Sequence, residues 1–285
     1  MKLALAGDAM LGRGVADTLR SSPPEALFAP ELVAIAREAD LFVLNLECCI
    51  SERGSPSPGR AFHFRAPPVA AEALAQLGVS CVTLANNHAL DFGLTALEDT
   101  VEHLDRAGIR AVVREPVVLE SSGFRLAVVG LTDHPRDAAG HVAYADLWRE
   151  DVPAWAVPDV DVDAILVTPH WGPNMAAEPV PHVRRAAAQL VELGATLVAG
   201  HSAHVFHAVE GPVLYDLGDF LDDYRVDPVL RNDLGLLWLV ELEPVRVAAV
   251  PLKLEYCHTR LAHGDDLAWI RRRLESLGGV VELLG

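Results

Sequence analysis

Two histidines at a spacing of three, His201 and His204, follow the short apolar run 196–199 and its closing Gly200. An apolar run of that length bounded by glycine reads as a buried strand. Imidazoles just past its end face the crevice where open α/β sheets bind ligands, and imidazole is a common metal ligand that titrates near neutrality. The arrangement recurs along the chain. Run 3–6 leads to Asp8, and run 41–46 (LFVLNL) to Glu47. Run 79–85 is followed by Asn86-Asn87-His88 with Asp91 and Gly93 beyond, and run 164–168 by Pro169-His170. A sixth run, 212–217, leads through Gly218 to Asp219. Five such endings in one register argue for a single composite site. Its donors are oxygen and nitrogen with no thiolate required, which suits Mn, Fe, Zn or Co better than a structural cysteine-type zinc. With one carboxylate shared between two ions about 3.5–4 Å apart, such a set makes a two-metal hydrolytic centre.

His88 is then left to protonate a leaving group, oriented by nearby Asp91. Asp91 equally reads as the N-cap of the helix that follows. Arg13 and Arg65 are candidates for bidentate binding of a substrate anion, although surface arginines are common. His134, beside Asp133 in the polar loop 132–146, is a further candidate for reaching substrate. His207 reads as structural, because on a strand it points away from the His201/His204 pair. Trp171 reads as packing over the rim of the site, and the remaining histidines as ordinary.

The elements that must position these residues alternate between apolar runs and helical periods. Helices are expected from about Arg13, over 30–38, from Pro67-Pro68 to Leu77, over 94–107, over 183–193 and over 265–277. Residues 62–65, 109–113, 124–131, 205–209 paired with 212–217, and 235–242 paired with 245–254 read as further strands. The Arg271–Arg273 cluster reads as the solvated face of the last helix. No linker composition breaks the chain, so one domain over 1–285 is expected, with a core over about 1–255 and a C-terminal helix over about 264–278.

Composition narrows the function classes. Of 285 residues, 51% are hydrophobic and 22% charged, as in an ordinary globular enzyme. The net charge of −17 repels nucleic acid and anionic membrane, so an anionic substrate needs a local positive centre such as a bound cation. The four cysteines have neither CxxC spacing nor secreted-domain density, and reduced thiols are expected. The N-terminus opens on a strand-like run without a leader pattern, and no run approaches the roughly 18 apolar residues of a membrane span. A cytoplasmic protein without membrane association is expected; its oligomeric state is not legible.

Taken with Met10-Leu11-Gly12-Arg13, Asn45-Leu46-Glu47, Trp171-Gly172 and Leu217-Gly218-Asp219-Phe220, these motifs resemble the CapA family. That family comprises capsule-synthesis proteins linked to poly-γ-glutamate, within the calcineurin-like metallophosphoesterase superfamily. The resemblance runs from Leu3 to about Asp233. It implies a four-layer α/β/β/α sandwich holding one or two divalent metals, manganese favoured. By the resemblance Asp8 and His204 serve one metal, Asn87, His170 and His201 the other, Glu47 bridges them, and His88 is the acid. Two positions depart from the superfamily pattern: Met10 stands where a histidine is usual, and Glu47 where an aspartate is usual. A thioether is a poor ligand for a hard metal, so the first position is expected to be short of ligands and to lose its metal first. The implied activity is water attack on a phosphoester or a γ-glutamyl-type amide in an anionic small molecule or polymer. The alternative is a non-catalytic accessory protein of capsule or poly-γ-glutamate synthesis that binds anionic polymer.

Overall fold

The first strand, β1 (Lys2–Ala9), is buried along nearly its whole length, the pattern of a strand covered on both faces. Its side chains alternate between those faces. Leu3 and Leu5 enter one core, while Ala4 and Ala6 enter another. A computed structural model of the chain describes residues 1–134, 140–278 and 281–284.

Beside β1 lie β2 (Leu41–Leu46), β5 (Cys81–Thr83) and β6 (Arg110–Val112), all parallel. On its other side run the antiparallel strands β14 (Leu234–Leu242), β15 (Val245–Glu255) and β16 (His258–Leu261). Two short strands join this sheet, β13 (Asp219–Leu221) along β1 and β17 (Glu282–Leu283) along β15. The second sheet has the order β11 (Val209–Glu210), β12 (Val213–Leu214), β10 (Leu197–Ala199), β9 (Ala164–His170), β8 (Phe124–Thr132), β7 (Val117–Ser121). A two-stranded ribbon, β3 (Cys49–Ile50) with β4 (Arg65–Ala66), stands apart.

Leu3, Leu5, Val43, Leu126, Val128, Leu166, Leu197 and Trp238 pack between the two sheets. The outer face of the first sheet is covered by α1 (Arg13–Ser21), α2 (Pro30–Ala36), α3 (Val69–Leu77) and α4 (Gly93–Arg106). Helix α5 (Pro181–Glu192) covers the second, its Val183, Ala186, Ala187 and Leu190 against Val129, Val167 and Val198. The four-layer α/β/β/α order implied by the family resemblance is the order found. Helix α6 (Gly264–Ser276) sets Ile270 and Leu274 on the inter-sheet core, and the first sheet continues past residue 255 through β16 and β17.

Some expected strands shrink. Of stretch 62–65 only Arg65 is strand, as the first residue of β4, because the Phe64 N–H turns to the Asp91 carboxylate. The expected pair 205–209/212–217 reduces to β11 and β12, because Phe206 dives into the inter-sheet core. All four cysteines are free and buried. No helix among the described residues is long and apolar enough to cross a membrane.

Candidate metal centre

The C-terminal ends of β1, β2, β5, β9 and β10 converge, and β13 brings its first residue, Asp219, to the same place. Asp8 and Asp219 are register partners on parallel strands, while His170 and His201 form a parallel bridge. Two glycines permit this closeness. A Cβ on Gly7 would lie 1.7 Å from the Gly218 carbonyl oxygen, and one on Gly200 would lie 2.1 Å from that of Tyr215. Any side chain at either position would push the strand ends apart.

A ring of satisfied polar groups fixes the donors. The Asn45 amide donates to Asp8 Oδ1 at 2.8 Å and meets His170 Nδ1 at 3.3 Å. Its own oxygen accepts from the Asn86 amide at 2.9 Å. The Asn86 oxygen takes the His88 N–H at 3.0 Å, which holds the turn after β5. Asp8 Oδ2 accepts the Ser202 N–H at 3.1 Å, and Asp216 accepts those of Ala203 and Gly218 at 2.8 and 2.9 Å. Ser202 and His204 adopt φ of 104° and 60°, a left-handed conformation that non-glycine residues hold only when their surroundings enforce it.

Inside that ring the donors are unsatisfied. Both Glu47 carboxylate oxygens, Asn87 Oδ1, His170 Nε2 and Asp219 Oδ2 are buried without a hydrogen-bond partner. His170 Nε2 lies 3.6 Å from Glu47 Oε1, beyond hydrogen-bond range. Each such atom costs roughly 1–3 kcal/mol, and five together rival the ~5–15 kcal/mol that holds a whole domain folded. The orphaned set is made of carboxylate, amide oxygen and imidazole, which is the donor set of a divalent metal site. The residues therefore fit the metals that the sequence implies.

The electrostatics agree. Burial pushes the Glu47 carboxyl well above its ordinary range, and the charge of Asp8 adds to it. Asp219 is raised in the same way, first by burial and then by Asp222 and Asp8. Burial also works to raise Asp8, but His201, 3.1 Å away, with the charges of His170 and His204, holds it below the usual carboxylate range. His170 is held neutral by burial and then by the charge of His134, the form that ligates metal. Burial opposes charge on His204 too, yet Glu47, Asp8, Asp216 and Asp222 raise it.

His88 lines a cleft of about 640 Å³ together with His204, Phe64 and Tyr224. Its Nδ1 meets Asp91 Oδ2 at 2.7 Å and its Nε2 lies 3.9 Å from Glu47 Oε1. Asp91 is fully buried and also takes the Phe64 N–H at 2.7 Å and Arg60 Nη1 at 3.1 Å. It makes no helix cap, since Phe92 holds the N-cap position of α4 with no side-chain cap. Of the two readings of Asp91, the orienting one matches its contacts.

The three substrate candidates fare differently. Arg13 lines the cleft, but Asp223 holds its guanidinium at 2.6 and 3.0 Å, over the rings of Phe62, Phe64 and Tyr224. Arg65 is not among the residues lining the cleft; it stacks on Phe92 at 4.2 Å. His134 reaches the centre's edge, its ring 5.0 Å from that of His170, with Nδ1 on Asp133. His207 binds the Ala176 carbonyl through Nε2 at 2.8 Å, away from the site.

Met10 is fully buried in the helix-side core and gives the centre nothing. Asp219 carries no ligand role in the sequence pattern beyond the sixth run that leads to it, yet its Oδ1 meets His204 Nδ1 at 2.8 Å. Asp8, His204 and Asp219 place ligand atoms all within 4.8 Å of one another. For Asn45, Asp133 and Asp216 the only sequence signal of a supporting role is their position next to a strand end.

Over residues 2–224 the chain matches the family described as bacterial capsule synthesis protein PGA_cap. A probable polyglutamine synthesis accessory protein of Mycobacterium tuberculosis is 30% identical over 276 residues, covering 84% of this chain and 72% of the relative. The capsule biosynthesis protein CapA of Bacillus anthracis is 24% identical over 253 residues, covering 78% of this chain and 60% of that protein. Among solved structures, a novel phosphatase from Mycoplasma pneumoniae aligns with a TM-score of 0.53 at 12% identity, over 89% of this chain and 93% of its own, a likeness of fold.

Proposed function

This chain belongs to the bacterial capsule synthesis protein family, and on that premise we propose that it is a metal-dependent hydrolase acting on an anionic phosphoester or γ-glutamyl-type amide. The observation that carries the proposal is the set of orphaned, buried metal donors beside a cleft-facing histidine. Asp8 and His204 would hold one divalent ion and Asn87, His170 and His201 the other, with Glu47 shared. When bound, the ions supply Lewis acidity toward an anionic oxygen and lower the pKa of water.

The chain's own residues do the rest. Asp91 fixes His88 through Nδ1, so Nε2 is free to hand a proton to the leaving oxygen or nitrogen. The Phe64 ring meets that of His88 edge-on at 4.7 Å and limits its rotation. Asn174 meets His204 Nε2 at 3.2 Å and steadies the ring whose Nδ1 faces the acids. The cleft opens directly onto His88 and His204, beside the donors where bound cations would supply the local positive charge that an anionic group needs in a chain of net charge −17.

A second reading is an accessory protein of polymer synthesis, which the name of the mycobacterial relative favours. A screen of phosphomonoesters, phosphodiesters and γ-glutamyl amides with added Mn²⁺ separates the two. The hydrolase reading expects turnover that falls in His88→Ala and His201→Ala. Polymer binding with no turnover under any metal gives the accessory reading instead.

A further inference from the structure

We propose that Asp219 supplies the ligand that Met10 cannot, so that the two metal positions differ in kind: an oxygen-rich one suited to Mn²⁺ or Mg²⁺ and an imidazole-rich one suited to Zn²⁺ or Fe²⁺. The inference rests on the metal-dependent reading above and deepens it.

The backbone explains how the exchange comes about. The Asp8 N–H donates to the Gly218 carbonyl and the Met10 N–H to that of Leu221, each at 2.9 Å, which fastens β13 along the end of β1. Gly7 leaves no room for a side chain between them. Asp219 is thereby set in register beside Asp8, while Met10 is committed to the helix-side core.

Asp219 is 1% exposed, and its Oδ2 has no partner. Its ligand atom lies within 4.8 Å of those of Asp8 and His204, a span that small rotamer shifts close on an ion with oxygen and nitrogen ligands at about 2.0–2.2 Å. Buried carboxylates this close, with Asp222 also beside Asp219, repel unless a proton or a cation lies between them.

The two positions then count out differently. The first has Asp8, Asp219, shared Glu47 and one imidazole from His204. The second has two imidazoles, His170 and His201, with the Asn87 amide oxygen and shared Glu47. Carboxylate-rich sites suit Mn and Mg, whereas imidazole suits Zn and Fe.

The test is equilibrium dialysis of the chelator-stripped full chain against Mn²⁺ alone and Zn²⁺ alone, read by elemental analysis and Mn²⁺ paramagnetic resonance. The wild type should take about two equivalents. Asp219→Asn should weaken Mn²⁺ at one position roughly tenfold or more and leave Zn²⁺ at the other unchanged. Asp219→His, a second variant in case the first does not fold, should shift that position's preference from Mn²⁺ toward Zn²⁺ by a similar factor. His170→Ala should empty the other position. If both Asp219 variants bind Mn²⁺ as the wild type does while His170→Ala loses an equivalent, this inference fails and the metal-dependent reading stands. If the wild type binds no metal, both fail.

Discussion

Two sets of buried polar groups lie side by side at the same strand ends. In the outer set, Asn45, Asn86, Asp133 and Asp216 are tied to named partners. Asp133 takes the Gly172 N–H at 3.1 Å and His182 Nε2 at 3.2 Å in addition to His134. In the inner set, Glu47, Asn87, His170 and Asp219 keep orphaned atoms. The same burial thus produces opposite energetics. The outer groups hold loops in place and stabilise the chain, and the inner ones are held there at a cost that only a ligand offsets. The outer set is scaffolding, and the inner set is what the scaffolding positions.

The contrast can be sharpened or broken by substitution. The largest effect is expected at the cleft, where His88→Ala should lower kcat by about 10²–10⁴ with metal content unchanged, measured by steady-state kinetics on whichever ester or amide the screen yields. In the outer set, Asp216→Ala orphans the Ala203 and Gly218 N–H groups. It should cost about 2–5 kcal/mol of stability in urea unfolding.

His207 tests burial away from the centre. Burial lowers its imidazole to about 4, against the pull of the Ala176 carbonyl. A histidine depressed in the fold binds its proton more readily when unfolded. Stability is therefore intact above pH 6.5 and falls as pH drops toward 4, by at most about 3 kcal/mol. His207→Gln should flatten that part of the profile relative to the wild type.

The smallest effect has the opposite sign. Glu47→Leu removes two orphaned oxygens, so in chelator it should be more stable than the wild type by about 1–3 kcal/mol. It should also lose the stabilising response to added metal. A loss of stability in chelator would place Glu47 with the scaffolding.

Much of the centre was legible because Asp8, Glu47, Asn87, His170 and His201 each stand at or just past the end of an apolar run, and runs are read locally. What escaped depends on contacts between distant stretches. Asp219 joins the centre only because β13 docks along β1 across the Gly7–Gly218 approach, and no local pattern announces that pairing. Arg13 reads as a free cation until Asp223, 210 residues away, closes on it. Asp133 reaches Gly172 and His182 across 39 and 49 residues. The layer order was legible only through the family resemblance, because an apolar run such as 3–6 marks a buried strand without saying how the sheets stack. Strand lengths were not, because Phe64 and Phe206 follow tertiary partners rather than strand periodicity.

The central claim is that the inner set is built to hold divalent cations, and thermal unfolding tests it most directly. The wild-type chain should melt at a lower temperature after chelation and recover with added Mn²⁺, the gain approaching about 4 kcal/mol at a thousandfold excess over Kd. A melting temperature indifferent to chelator and to Mn²⁺ would contradict it.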